Sequence, residues 1–98
     1  MNISFTARHF EASNRLREHS TEAVNKLTKF YDQILDCDII LQPAKDHDEP
    51  QAAELTVKVT GDLLVASEQG ATYEQALNKA IDNMSRQLKR YKNKRFAK

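Results

Sequence analysis

Seven lysines and arginines fall within the last thirteen residues of this chain, Arg86 to Lys98, with no carboxylate among them. The preceding eighty-five residues hold all fourteen Asp and Glu against eight Lys and Arg. The formal charge is thus +7 on the C-terminal stretch and −6 on the remainder, which together make the +1 of the whole chain. Crowded like charges repel, so cations gathered at one end call for a partner that offsets that cost. What such a cluster does best is neutralise a polyanion, and nucleic acid is the leading candidate.

Helical spacing sharpens this reading. With Leu77 at the centre of a buried face and 100° per residue, Ile81, Met84 and Leu88 fall within about 40° of it. Lys79, Arg86 and Arg90 then lie on nearly the opposite side, with Lys89 beside them, as a stripe facing solvent. Lys92, Lys94, Arg95 and Lys98 continue the charge as a basic tail from about residue 92. Cations at a helix C-terminus also complement its macrodipole, by about 0.3–1 kcal/mol each when exposed. That accounts for two or three of them, not for seven without a carboxylate. On an earlier helix Arg15, His19 and Lys26 line one flank, with Lys29 farther round and Glu18 and Glu22 diluting the field. Taken alone this flank is a solvated surface. It gains meaning if both helices cover one sheet face and leave a groove between them. Arg8, just after the first strand, extends the same patch.

Other chemistry finds no support. No catalytic set emerges, and His9, His19 and His47 are scattered without metal-ligand spacing. Asp46-His47-Asp48-Glu49 offers oxygens but lacks the glycine and terminal glutamate of a calcium loop, so it reads as an exposed acidic hairpin. Cys37 falls on the inward phase of a strand and reads as a packing thiol. Gly61 and Gly70 are isolated, which excludes a glycine-rich phosphate loop. No metal, cofactor or small-molecule substrate is expected. Tyr31, Tyr73 and Tyr91 fall on or near buried helix faces and Phe5 belongs to the core. This composition disfavours stacking on single-stranded bases and suits backbone phosphates and RNA shape.

The elements that must position these residues follow from periodicity. Ile3 and Phe5 alternate in a short strand, Asn2 to Thr6. Ser13 caps a helix from about Asn14 to Tyr31, whose stripe runs through Leu16, Ser20, Ala23, Leu27 and Tyr31. Cys37, Ile39 and Leu41 mark a second strand ending at Pro43, and Lys45 to Pro50 is a polar loop. Leu55, Val57 and Val59 mark a third strand with one wet face. Gly61-Asp62 reads as a tight turn, followed by a fourth strand with Leu63, Val65 and Ser67 inward, stopping near Gly70. Thr72 and Gln75 form a capping box for the last helix, which runs to about Asn93. The order β-α-β-β-β-α predicts an α/β (α+β) two-layer sandwich: a four-stranded mixed sheet with two helices on one face. The first two strands should be parallel and the rest antiparallel.

Ninety-eight residues with 40% hydrophobic and 30% charged content make one domain, 1–98, of an ordinary globule. No apolar run is long enough to span a membrane, and the N-terminus lacks a secretory pattern. A lone cysteine excludes an intramolecular disulfide. These features point to the cytoplasm, and the protein is expected to be monomeric when free.

The chain resembles the ribosome hibernation-promoting factor family, also called ribosome-associated inhibitor or sigma-54 modulation proteins. The resemblance covers nearly the whole sequence. It rests on Met1-Asn2-Ile3-Ser4-Phe5-Thr6, Leu16-Arg17-Glu18, Lys26-Leu27 followed by Phe30-Tyr31-Asp32, and Ala66-Ser67-Glu68. Its strongest part is Ala80-Ile81-Asp82-Asn83-Met84-Ser85-Arg86-Gln87-Leu88-Lys89-Arg90-Tyr91-Lys92. The resemblance implies the β-α-β-β-β-α fold and no enzymatic activity. It implies binding to the small ribosomal subunit (16S rRNA) and the 70S ribosome, in the channel used by mRNA and tRNA, silencing translation under stress or in stationary phase. It implies rRNA contacts at Arg86, Lys89, Arg90 and Lys92, with Lys26 on the first helix. One departure is Thr72-Tyr73-Glu74, where many members carry Asp-Met/Leu-Tyr entering the last helix. The chain resembles the family's short form, since it ends at Lys98 before the dimerisation domain of the long form. Two other readings stand beside this one: a general structured-RNA-binding module, and a protein-directed regulator of transcription. The usual α-β-β-β-α order of the double-stranded RNA module would lack the first strand found here. A transcription-factor interface has less need of seven clustered cations.

Overall fold

Two-residue alternation and two amphipathic stripes assemble as expected into a layer of helices on a sheet. The computed structural model describes residues 1–96; Ala97 and Lys98, the last cation of the basic stretch, lie outside the described residues. Strand β1 is Asn2–Ala7, helix α1 Asn14–Val24, and a 3-10 helix follows at Asn25–Lys29. Then come β2 (Asp36–Pro43), β3 (Gln51–Val59), β4 (Asp62–Gly70) and helix α2 (Tyr73–Phe96). The sheet order is β1-β2-β3-β4. Strands β1 and β2 are parallel, and the other two pairs are antiparallel. Cys37, Ile39, Leu41, Leu55, Val57 and Val59 all point to one face and are buried there under Val24, Leu27, Leu77, Met84 and Leu88 of the helical layer.

The fourth strand has the opposite phase to that expected. Leu63 and Val65 are 58% and 48% exposed, whereas Ala66 and Gly70 are buried and Leu64 packs against the core. Leu63-Leu64-Val65-Ala66 is apolar at both parities, so alternation cannot choose between them. The hairpin chooses. Val59 pairs with Asp62 across a two-residue turn, Thr60-Gly61, in which Gly61 takes φ 79°. The turn thus sits one residue earlier than the Gly61-Asp62 placement. Opposed residues of an antiparallel pair share a face. Leu55 and Val57 therefore bring Ala66 and Leu64 inward.

Helix boundaries also differ from the periodic reading. Ser13 caps α1, its Oγ accepting the Leu16 N–H at 3.1 Å, but α-geometry stops at Val24 and the chain tightens into the 3-10 helix. Thr72 Oγ1 accepts the Gln75 N–H at 3.1 Å, while Gln75 Oε1 reaches back to the Ala71 N–H at 2.7 Å, one residue beyond the ordinary capping box. Gly70 is needed for this approach, since a Cβ there would lie 2.8 Å from the Ala76 nitrogen. Helix α2 continues to Phe96, so Lys92 and Lys94 are helical.

Strand directions fix where the helices point. Helix α1 follows the C-terminal end of β1, and α2 follows that of β4, so both start at one end of the sheet. Both end at the other, where β2 begins and the β3–β4 turn lies. Over 24 residues α2 spans about 36 Å, and it gives the molecule a long axis of 46 Å. Side chains of α2 also occupy the outer edge of β4. Gln87 Nε2 donates to the Val65 carbonyl at 2.8 Å and Lys79 Nζ to that of Gln69 at 2.9 Å, covering an edge that would otherwise invite strand pairing.

Cys37 is fully buried, and burial, followed by the charge of Asp38, pushes its thiol up from 9.0 to about 12. The native state thus favours the neutral thiol. Its stabilising contribution is complete below about pH 9, the unfolded value, and is lost as the pH rises through 12. Native protein at pH 8 should therefore resist iodoacetamide and be alkylated promptly in denaturing urea, as read by intact mass. Rapid labelling of native protein would place Cys37 on the wet face.

Candidate nucleic-acid interface

The 3-10 helix sets the geometry of the basic surface. Three residues per turn eclipse side chains at i and i+3, so Lys26 and Lys29 stand on one side and face α2. Both line a groove between the two elements, together with Phe30, Ile81, Asp82 and Ser85. The groove continues into a hollow where Lys29 and Phe30 meet Lys92 and Asp32. Lys89 closes the arrangement from above, its Nζ 4.9 Å from the centroid of the Phe30 ring. Four lysines from two elements thus lie around one half-buried aromatic side chain, with the carboxylates of Asp32 and Asp82 also in the lining. Among the described residues, none of these four lysines forms a salt bridge. The 3-10 helix ends here, so its negative dipole end and Lys26 and Lys29 complement one another, while Lys94 and Arg95 stand at the end of α2.

The other expected site residues fall in different places. Arg86 is exposed on the solvent ridge of α2, one turn before Arg90. Arg90 and Lys94 lie on the opposite flank from Lys89, around the β3–β4 turn with Asp62 and Tyr91. Arg95 lines the same region beside Thr60 and Gly61. The charges of α2 therefore wrap around the helix rather than forming one stripe. Lys79 is not with them: its ammonium pairs with Glu49 at 2.5 Å and with the Gln69 carbonyl at the far end of the sheet. Arg8 is also at that far end, where its backbone N–H continues the β1–β2 ladder to Leu41. Lys29 was expected farther round because the helical wheel assumes 100° per residue, whereas the 3-10 segment advances about 120°. By spacing, Phe30 falls at the edge of the stripe that ends at Tyr31. Its place amid the lysines depends on the tertiary packing of α2.

A rigid support holds this end. Tyr31 and Tyr91 meet edge to face with ring centroids 5.4 Å apart, and Tyr91 Oη donates to the Thr60 carbonyl at 2.5 Å. The 3-10 segment, α2 and the β3–β4 turn are thereby tied together. Burial, and then the neighbouring Tyr91, hold the Tyr31 phenol above its ordinary value, so it stays neutral in this cationic setting.

The Asp46–Glu49 loop is occupied with its own backbone. Asp46 Oδ1 accepts the N–H groups of Asp48 at 2.8 Å and Glu49 at 3.3 Å. Among the described residues no group of three or more His, Cys, Asp or Glu is placed to hold a metal ion, and no helix is long and apolar enough to cross a membrane.

A polar, cation-lined groove on a helix-covered sheet can bind a polyanion. Comparison with known proteins says which family uses this frame. The pattern of the family described as sigma 54 modulation protein / S30EA ribosomal protein matches residues 3–95. The chain belongs to this family. It is 30% identical over 94 residues to the ribosome hibernation promoting factor of Klebsiella oxytoca, covering 96% of each chain. It is 28% identical over 89 residues to the ribosome hibernation promotion factor of Deinococcus radiodurans, but spans only 47% of that protein's length. Among solved structures it is similar to the N-terminal domain of Protein Y from Thermus thermophilus, with a TM-score of 0.80 and 26% identity over 93% of this chain and 99% of that one. The match over residues 3–95 takes in all four strands and nearly all of α2, and the Protein Y domain has the same fold.

Proposed function

We propose that this protein is a ribosome-binding inhibitor of translation. It acts in the cytoplasm, occupies the mRNA and tRNA channel of the small subunit through contacts to 16S rRNA, and holds 70S ribosomes dormant under stress. It needs no catalytic residue or cofactor, because filling the channel is the whole mechanism. The observation that carries this reading is the convergence of Lys26, Lys29, Lys89 and Lys92 on one groove. Membership of the S30EA family and the names of its hibernation-factor relatives support the choice of partner. Arg86, Arg90 and Lys94 widen the contact around the outer end of α2. We place Arg8 and Lys79 at its margin, because Arg8 follows β1 at the other end of the sheet and Glu49 and the Gln69 carbonyl hold the Lys79 ammonium.

Sedimentation of a cell lysate through sucrose should carry the protein with 30S and 70S particles. A wholly free pool would overturn the proposal. With the four groove lysines and Arg86 on phosphates, and about 0.7–0.9 counterions released per contact, the log–log slope of small-subunit affinity against salt should be about −3.5 to −4.5. A slope near −1 would remove phosphate contacts as the main term.

A further inference from the structure

We propose that Phe30 is a stacking platform for an unpaired RNA base, so that the groove takes a splayed nucleotide as well as duplex backbone. The inference rests on the RNA-binding reading above and adds a residue and a ligand chemistry to it. Phe30 is half-buried, packed on the core on one side and lining both parts of the basic groove on the other. Its surroundings are mixed, with Ile81, Asp32 and Asp82 among them, but cations predominate: Lys26 and Lys29 on its own segment and Lys89 and Lys92 on α2.

The position of Lys89 shows that the ring offers an accessible face. Its ammonium rests 4.9 Å from the ring centroid, the geometry of a cation on a π-face. A nucleobase presents to that face the same flat, polarisable contact that single-strand binders exploit. When the base enters, the flexible Lys89 stem swings its charge from the ring to the phosphate beside that base. Lys26, Lys29 and Lys92 are placed to hold the neighbouring phosphates. The ring thus exchanges a cation for a base without leaving any charge unpaired. Phosphate contacts alone would read duplex and single strand alike, whereas a ring at the floor of the groove favours strands whose bases are free to leave the stack. Five of the other aromatic groups are committed elsewhere: Phe10 stacks on Tyr73 with centroids 4.4 Å apart, Tyr31 packs on Tyr91, and Arg17 covers Phe5.

The chain contains no tryptophan, so Phe30→Trp supplies a sole indole at the platform. Its emission should be quenched on titration with a single-stranded RNA decamer, and much less by a blunt ten-base-pair RNA duplex at equal occupancy. Phe30→Leu keeps the apolar packing but removes the stacking face. It should weaken decamer binding by roughly 5- to 100-fold while leaving duplex affinity and the salt slope near wild type, with circular dichroism verifying the fold. Millimolar AMP should not displace the decamer. Displacement by micromolar AMP would make the occupant a free nucleotide and overturn the assignment to an RNA strand. If wild type binds both RNAs and folded Phe30→Leu binds the decamer equally well, or if the indole emission is unmoved at saturation, the platform fails while the phosphate-binding groove stands. If wild type binds neither RNA nor small subunits, both proposals fall together.

Discussion

Reversing Lys26, Lys89 and Lys92 to glutamate should abolish ribosome binding while leaving the protein folded. All three side chains are exposed, and all three face the groove that the 3-10 helix and α2 form. Each reversal replaces an attraction to phosphate with a repulsion of similar size. Even with screening over about 8–10 Å, six units of charge moved against a polyanion amount to several kcal/mol. Small-subunit affinity should fall at least about a hundredfold, and inhibition of in vitro translation should vanish with it. The structural cost is smaller. Lys89 loses its contact with Phe30, and the new carboxylate at position 26 sits in the last turn of the 3-10 helix, at about 0.3–1 kcal/mol. A domain of this size has on the order of 5–15 kcal/mol of stability, so circular dichroism should show a folded variant. Lys58→Glu, on the open sheet face opposite Leu63, is the matched control and should bind as wild type. A folded triple variant that inhibits at wild-type concentration would sink the proposed mechanism. For wild-type protein, excess mRNA and initiator tRNA should relieve the block.

The second large effect is on folding. Leu27 and Leu88 are both fully buried, one from the 3-10 helix and one from α2, in the layer above the sheet. Truncating either to alanine should cost about 2–5 kcal/mol, from lost burial and from the cavity left behind. That is a large part of the stability available to such a domain, and it should appear as a lowered urea midpoint at unchanged slope. Leu63→Ala should cost within about 0.5 kcal/mol, because that side chain already stands in solvent. If Leu63→Ala proved as costly as Leu88→Ala, the inward phase of β4 would be the reverse of that described above. These variants also separate fold from function. Leu88 lies beside Lys89 in sequence but about 100° round the helix from it, one in the core and the other exposed, so one destabilises and the other unbinds.

The element order, the parallel β1–β2 pair and the inward residues of β2, β3 and α2 were legible from the residues alone. They follow from local rules: alternation puts Cys37, Ile39 and Leu41 on one face, and a 3.6-residue period puts Leu77, Ile81, Met84 and Leu88 on another. The charge polarity is equally local, since it is a count. Where several local answers were equally good, the residues did not decide. Leu63-Leu64-Val65-Ala66 offers two apolar faces, and only the pairing of Val59 with Asp62 selects between them. Lys26 and Lys29 share a face because the chain tightens after Val24, a change of pitch that a wheel drawn at 100° cannot show. Lys79 and Arg90 share a flank of α2 by spacing, yet Glu49 and the Gln69 carbonyl claim the first, and the second reaches the β3–β4 turn. Local patterns therefore suffice for a basic end carried on a helix over a mixed sheet. Which cations meet, and that they meet around Phe30, follows from the packing of distant segments. The physical reason is range: propensity and periodicity act over a few residues, whereas the groove joins residues 26–30 to residues 89–92 through a core neither segment contains alone.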